Sequence, residues 1–299
     1  MRVTTNTVSA NIVLQIQALG AQQALLQTQV STGQRISRPE DDPAAAGRVL
    51  NLQSEQRQIT QYTRNATRAL ELSQASFSGL KEMKKVSDRA TELGTLGSGV
   101  GGSTANAAYA SELNQLIGHA IEIANSRSRG DYIYSGTAVS SPPFVVSSVN
   151  ALGQVAKVDY VGNSAGAAVP LSETTSITAS TTGTTNTALG DFINQLVALR
   201  DALNGTDQSA VSAAQNNLVN GENLLVSAIA EHGGVQTRIE SAQSQQQDRT
   251  TSLGALVSSE TDTDLPTTIV KLNQAQLAYQ AALQSAANIM KVSILDYLR

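Results

Sequence analysis

The clearest signal along the chain is a set of apolar residues at alternating spacings of four and three. Near the N-terminus Ile12, Ile16, Leu19, Leu26 and Val30 hold this rhythm, with Gln23 as its one polar member. Such spacing keeps one narrow face of a helix apolar. Near the C-terminus the same rhythm passes through Ile269, Leu272, Tyr279, Leu283, Ala286 and Met290, interrupted at Gln276. Between the ends, Val49, Leu52, Ile59, Ala66, Leu70, Phe77 and Leu80 predict a long helix over residues 44–93. At about 1.5 Å per residue it would approach 75 Å. Tyr109, Leu113, Leu116, Ala120 and Ile123 mark another helix within residues 104–130. On the return arm, Phe192, Leu196, Leu199 and Leu203 start a helix that ends near Asn204-Gly205, and a further one runs from Asp207 to Ser259. Residues 44–141 and 171–265 contain no proline, so nothing interrupts long helices there.

The middle differs in kind. Phe144-Val145-Val146 and Lys157-Val158-Asp159-Tyr160-Val161 are short β-prone pieces set among Gly, Asn and Pro. Residues 137–190 hold 17 Ser or Thr among 54 positions, so this insertion has loop-rich borders and a thin core. The expected fold is mainly α: long antiparallel helices forming an elongated rod, with paired terminal helices and a small β-rich inserted outer domain. Three parts follow: residues 1–42 plus 265–299, residues 43–136 plus 186–264, and residues 137–185.

Charge sharpens the division. Residues 3–34 and 272–290 carry no charged side chain. Residues 43–93 carry eight basic and five acidic side chains, whereas residues 191–264 carry three basic and ten acidic. Complementary arms favour an antiparallel register, although surface ion pairs set specificity more than stability. A helix exposed on a monomer normally lines its outer face with Lys, Glu or Arg. Uncharged ends therefore suit burial on several sides within an assembly; an ordinary intramolecular core is the alternative reading of the same stripe. Membrane-surface helices favour Lys and Arg on the polar face, which these ends lack.

Composition removes several classes. The chain has 299 residues, no cysteine, and only seven Tyr, three Phe and no Trp. Disulfides and thiolate chemistry are thus excluded, and the apolar mass is aliphatic, as suits helix-on-helix packing. No run of 18 apolar residues predicts a membrane span, and no secretory signal peptide is visible. The net charge of −4 does not favour nucleic acid.

Candidate chemistry is thin. His119 and His232 lie 113 residues apart with no second His or Cys at metal spacing, and both read as structural residues. His232 precedes Gly233-Gly234, which reads as a helix break. The run Gly97–Gly102 lacks the strand and lysine of a phosphate loop and reads as a helix–helix connection. The most suggestive segment is Gly33-Gln34-Arg35-Ile36-Ser37-Arg38-Pro39-Glu40-Asp41-Asp42-Pro43. Its acids lack the alternating oxygen ligands of a cation loop. Gly33 as a helix stop, Asp42 as a cap and Pro43 in the next first turn explain it better. Asp262, Asp264 and Pro266 repeat that punctuation before the last helix. No catalytic residue, cofactor or metal site is expected.

These segments resemble a known family. The turn containing Arg35, Ile36, Asp41, Asp42 and Pro43 resembles that of bacterial flagellins and their relatives, whose chains share neutral helical ends. Tyr132-Ile133-Tyr134-Ser135-Gly136 and the ending Leu295-Asp296-Tyr297-Leu298 are similar to motifs of the type 3 hook-associated proteins within that superfamily. Asp-Asp-Pro fits these better than the Asp-Asp-Ala of many filament flagellins, and the final Arg299 departs slightly from the pattern. The resemblance covers residues 1–137 and 186–299. It implies a non-catalytic structural subunit of the flagellum at the hook–filament junction, exported without a cleaved signal peptide to an extracellular position. The implied partners are further copies of itself, a neighbouring hook-associated protein, flagellin and a cytoplasmic export chaperone, with no nucleic acid and no membrane insertion. The seam residues named at the two ends would then serve assembly. A filament subunit within the same superfamily, or a secreted soluble helical-bundle effector or binding protein, are the alternatives.

Overall fold

A computed structural model describes residues 5–99, 103–205 and 207–297, with side chains for residues 10–99, 104–205 and 207–288. The element order is α1 (Thr5–Thr32), α2 (Pro43–Ser98), α3 (Ser103–Ala124), β1 (Arg127–Ser128), β2 (Asp131–Tyr132), β3 (Phe144–Val149), β4 (Val155–Tyr160), β5 (Ala168–Pro170), β6 (Ser176–Thr178), α4 (Gly183–Asn204), α5 (Gln208–Thr261) and α6 (Leu265–Tyr297). The chain is mainly α with a small strand-bearing region. By packing it divides into one unit of residues 1–57 and 249–299 and a second of residues 58–248. Both cuts fall inside helices, in α2 and α5.

In the first unit α1 packs on α6. Ile12, Ile16, Leu19, Gln23 and Val30 are half-buried and Leu26 is buried, while most of their neighbours other than Gly20 and Gln29 are exposed, so the four-three reading of α1 describes its inward face. On α6 the inward face keeps Leu272, Tyr279 and Ala286 of the expected stripe and adds Thr268, Ala275 and Ala282. Ile269 and Leu283, read as seam positions, are both 44% exposed, and Gln276 is exposed as well. Small residues stand at 275, 282 and 286 of this face, and the Tyr279 ring reaches to 3.5 Å from where a Gly20 Cβ would stand. The Met290 side chain lies outside the described residues.

The second unit holds most of the buried mass. Its main cluster joins Leu80, Met83 and Leu93 of α2, Leu113 and Ile117 of α3, Phe192, Ile193, Leu196 and Leu199 of α4, and Leu218 and Leu225 of α5. A smaller one joins Ala66, Ala69 and Ile239 to Leu171, Ile177 and Ala179 of the insertion. Three separate two-stranded antiparallel sheets make up the β part. The β3–β4 pair is pinned at both edges by asparagine amides. Asn125 donates to the Phe144 carbonyl at 2.9 Å and accepts its N–H at 3.1 Å; Asn194 does the same for Val158 at 2.9 and 2.8 Å. The fully buried Arg200 ties α4 to its surroundings, donating to Asn114 Oδ1 at 3.1 Å, to the Val155 carbonyl at 2.7 Å and to Asp201. A buried guanidinium persists only when paired and hydrogen-bonded in this way.

Two expectations change here. Helix α3 stops at Ala124, and a tight β1–β2 hairpin follows, with Arg129 (φ 54°) and Gly130 (φ 97°) at its tip. Helix α5 runs through Gly233-Gly234 without a break, held on one side by buried His232 and Ile239.

His232 Nδ1 lies 3.2 Å from Ser73 Oγ across the α2–α5 contact. Burial holds its pKa below the usual 6.5, opposed weakly by the Glu231 carboxylate. The unfolded chain therefore binds this proton first, so stability is fully present above the ordinary histidine range and falls as pH drops from about 6.5 toward the folded pKa. Thermal melts between pH 7 and 5 should show this loss in the wild type and a flatter profile in His232→Gln. Equal slopes would count against it.

Candidate functional site: the paired turns and the Tyr-Ile-Tyr junction

In the first unit two turns face each other. Gly33 ends α1 in the left-handed region (φ 71°), donating its N–H to the Gln29 carbonyl at 2.9 Å. The chain then meets the turn before α6 as a short antiparallel bridge between Gln34 and Asp262. Arg35 N–H donates to the Thr261 carbonyl at 2.6 Å, and Thr263 N–H donates to the Gly33 carbonyl at 2.9 Å.

Side chains reinforce the bridge. Arg35 donates to the Glu260 carbonyl at 2.9 Å and pairs with Asp42 Oδ2 at 3.2 Å. Asp42 Oδ1 accepts the Ala45 N–H at 3.0 Å and so caps α2, as its place before Pro43 suggests. Asp41 folds the turn on itself by accepting the N–H groups of Ser37 at 3.0 Å and Arg38 at 2.8 Å. Arg48 meets Glu260 with two parallel bonds of 2.9 and 2.8 Å. Arg249 pairs with Glu55 at 2.7 Å. Ile36 is half-buried, whereas Arg35, Asp41 and Pro43 are exposed. The Ala45 N–H, with Arg35 beside it, holds the Asp42 carboxyl below the usual range; Arg48 does so for Glu260, and the Arg38 and Ser37 N–H groups for Asp41. The acids act as caps and ion partners.

In the second unit, Tyr132-Ile133-Tyr134-Ser135-Gly136 connects the β1–β2 hairpin to the insertion. Tyr134 is buried against Gly79 of α2 and donates its hydroxyl to the Ser76 carbonyl at 2.9 Å. Burial pushes its phenol pKa far up. Tyr132 is half-buried, its ring lying 4.2 Å from the Arg127 guanidinium carbon. Gly136 has φ 67°, and a Cβ there would stand 2.4 Å from the Asn163 carbonyl oxygen and 2.9 Å from that of Ala165. Leu295, Asp296 and Tyr297 fall within α6, but their side chains, and Leu298 altogether, lie outside the described residues. Sequence reasoning passed over Arg48, Glu260 and Thr263, whose part is visible only once the turns are opposed.

Among the described residues no group of three or more His, Cys, Asp or Glu could hold a metal ion, and no helix is long and apolar enough to cross a membrane. The site is a clasp and a junction. Asp42→Asn keeps the capping oxygen and removes the charge, whereas Asp42→Ala removes both. Amide exchange at Ala45 should therefore rise modestly in the first and clearly in the second; the same rise in both would assign the effect to charge alone. Lowering the pH through the depressed Asp42 pKa should bring the wild type toward Asp42→Asn, since a lowered carboxylate pKa contributes stability above the unfolded value and loses it below. Gly136→Ala should lower stability by about 2–4 kcal/mol in a denaturant melt, through left-handed strain plus backbone collision. An unchanged midpoint would contradict the close approach.

Residues 3–138 match the family described as the bacterial flagellin N-terminal helical region. Flagellar hook-associated protein 3 of Salmonella typhimurium is 30% identical over 118 residues, covering 39% of this chain and 37% of that protein. The chain thus matches little more than a third of that relative's length. Among solved structures, a protein described as a flagellar hook-associated protein of Vibrio parahaemolyticus superposes with a TM-score of 0.66 at 18% identity, covering 74% of this chain and all of that one. FlgL of Bacillus cereus gives 0.60 at 17% identity, over 70% of this chain and 99% of that one. These identities speak for the fold. Both turn residues Arg35 to Pro43 and the Tyr132–Gly136 junction lie inside the matched region. Residues 3–138 thus match the bacterial flagellin N-terminal helical region, and the chain's helical fold is similar to that of the Vibrio parahaemolyticus protein.

Proposed function

We propose that the chain is a non-catalytic structural subunit of the bacterial flagellum, an adaptor where hook meets filament. The observation that carries this reading is the pairing of α1, which carries no charged side chain, with α6, which carries none over residues 272–290. Each uses one narrow face against the other and leaves Leu14, Leu25, Ile269, Val270, Leu277 and Leu283 exposed. Ordering a residue costs about 1–2 kcal/mol, and a half-buried seam recovers little of that in a lone chain. Further cover from neighbouring subunits would supply the rest.

On this reading residues 1–42 and 265–299 are the inner, assembly-dependent part, residues 43–136 and 186–264 form the next layer, and residues 137–185 project outward. The partners are further copies of the chain, a neighbouring hook-associated protein, flagellin and a cytoplasmic export chaperone, and the destination is extracellular. The flagellin match over residues 3–138 also favours a second reading, a filament subunit. Polymerisation of this chain alone into long filaments would select it.

Amide exchange on the purified chain should be fast over residues 5–32 and 265–297 and slow in the cluster around Leu113 and Leu196. Leu283→Asp should leave the melting of the second unit unchanged and abolish incorporation into flagella, with loss of motility. Ile16→Asp should do the same and also loosen α1 on α6. Protection throughout, or normal assembly of Leu283→Asp, would favour a closed helical bundle with a soluble role instead.

A further inference from the structure

The second unit contains a hollow of about 150 Å³ between the start of α4 and the middle of α5. Ala188, Leu189, Leu225 and Ala228 form its floor, and Thr184 and Glu231 stand at its mouth. Its volume corresponds to roughly five waters' share of liquid, below the roughly 300 Å³ at which small-molecule sites begin. It suits one long side chain with an apolar stem and a cationic end.

Glu231 joins no ion pair among the described residues, and neither does Asp191, one turn beyond Ala188 on the same face of α4. Arg238, two turns along the same face of α5, does not reach Glu231. A complementary surplus lies elsewhere in this unit. Lys84, Lys85 and Arg89 of α2 all pair with carboxylates, and Lys81 stands over the Phe77 ring at 5.3 Å. Arg64 and Arg68 do neither. They are exposed one turn apart, on the side of α2 turned away from buried Ala66 and Ala69.

We infer that the hollow at Glu231 receives the Arg64–Arg68 pair of a second copy of this chain. One arginine stem lies on the apolar floor while its guanidinium meets the Glu231 carboxylate. The two patches are different surfaces of one molecule, so the contact is heterologous and repeats from copy to copy, closing as a ring or continuing as a helix. This rests on the assembly reading above and adds to it which faces meet.

The test is a charge exchange in the full chain. Glu231→Arg alone, and Arg64→Glu with Arg68→Glu, should each weaken concentration-dependent association in sedimentation by about ten- to a hundredfold, the equivalent of one charge-assisted contact. Combining all three substitutions, or mixing the two variants, should restore it, because every hollow then meets an opposite charge. Glu231→Gln is the milder control, expected to weaken association and flatten its salt dependence; thermal melts check that each variant folds. Single variants that associate like the wild type, or a triple variant no better than the singles while all melt normally, would overturn the inference. Should the exchange behave as expected while a strain lacking the gene remains motile, the contact stands and the flagellar reading fails.

Discussion

Two backbone hydrogen bonds decide how the first unit is built. Arg35 N–H to the Thr261 carbonyl and Thr263 N–H to the Gly33 carbonyl join the turn after α1 to the turn before α6. Everything that pairs in this unit starts from that point. A helix turns by about 100° per residue, so a slip of one position at the bridge would rotate the inward face of α1 or α6 away from its partner. The ion pairs around it are exposed and individually weak, yet they cooperate in one register. Arg35 reads the Glu260 carbonyl, Arg48 reads its carboxylate, and Asp42 caps α2 while holding Arg35. Capping oxygens and arginine forks are directional, which is why this short turn can set the geometry of helices several times its length.

The second unit answers a different constraint, a chain poor in rings. Its large side chains gather where α2, α3 and α4 meet the strands: Tyr134, Phe144 and Phe192 are buried there, and Tyr160 lies 5.3 Å from Phe144. Along α2 and α5 away from that centre, alanine, serine and histidine fill the contact instead, as at Ala66, Ala69, Ser73 and His232. Small residues bring backbones close, and of the polar groups near this contact Ser73 pairs with His232 and Thr63 with Gln246, while the buried hydroxyls of Ser76 and Ser87 have no hydrogen-bond partner among the described residues. The insertion cannot support itself on strand pairing, since each of its sheets has only two strands. Asn125, Asn194 and Arg200 hold it by supplying the hydrogen bonds that further strands would otherwise supply.

Much of this was legible in the residues, and the misses share causes. The α1 face followed its four-three stripe because its inward positions are the branched apolar ones. On α6 Leu272, Tyr279 and Ala286 follow the stripe inward, but the rest of that face is Thr268, Ala275 and Ala282, while Ile269 and Leu283 lie outside. Alanine suits either face of a helix, so a reading that follows the large apolar residues shifts by one. The Asp42 cap and Pro43 start were readable because capping is local. The partners Glu260 and Thr263 were not, since nothing at position 35 announces residues more than 220 places away. The β1–β2 hairpin was hidden because Arg129 takes a left-handed conformation usually left to Asn, Asp or Gly. Gly233-Gly234 read as a break because two glycines weaken a helix by about 2 kcal/mol. Packing of His232 and Ile239 overrides that local preference.

The displaced α6 seam bears on what the ends are for. Had Ile269 and Leu283 faced α1, the uncharged stretches 3–34 and 272–290 could be explained by the helices' own contact. They do not: the intrachain contact sets Ile16, Leu19 and Leu26 of α1 against Leu272, Tyr279 and small residues of α6, and other large apolar side chains point elsewhere, Leu277 at 67% exposed and Leu14 at 63%. A helix that meets water on its remaining faces gains from lysine and glutamate there, and residues 3–34 contain none. Scattered exposed leucines need no explanation, but exposed apolar side chains on two neighbouring helices whose stretches 3–34 and 272–290 carry no charge leave surface that further packing could cover. The seam within the chain and the faces outside it thus divide the work: small residues set how closely α1 and α6 approach, and the exposed larger ones remain for whatever covers them.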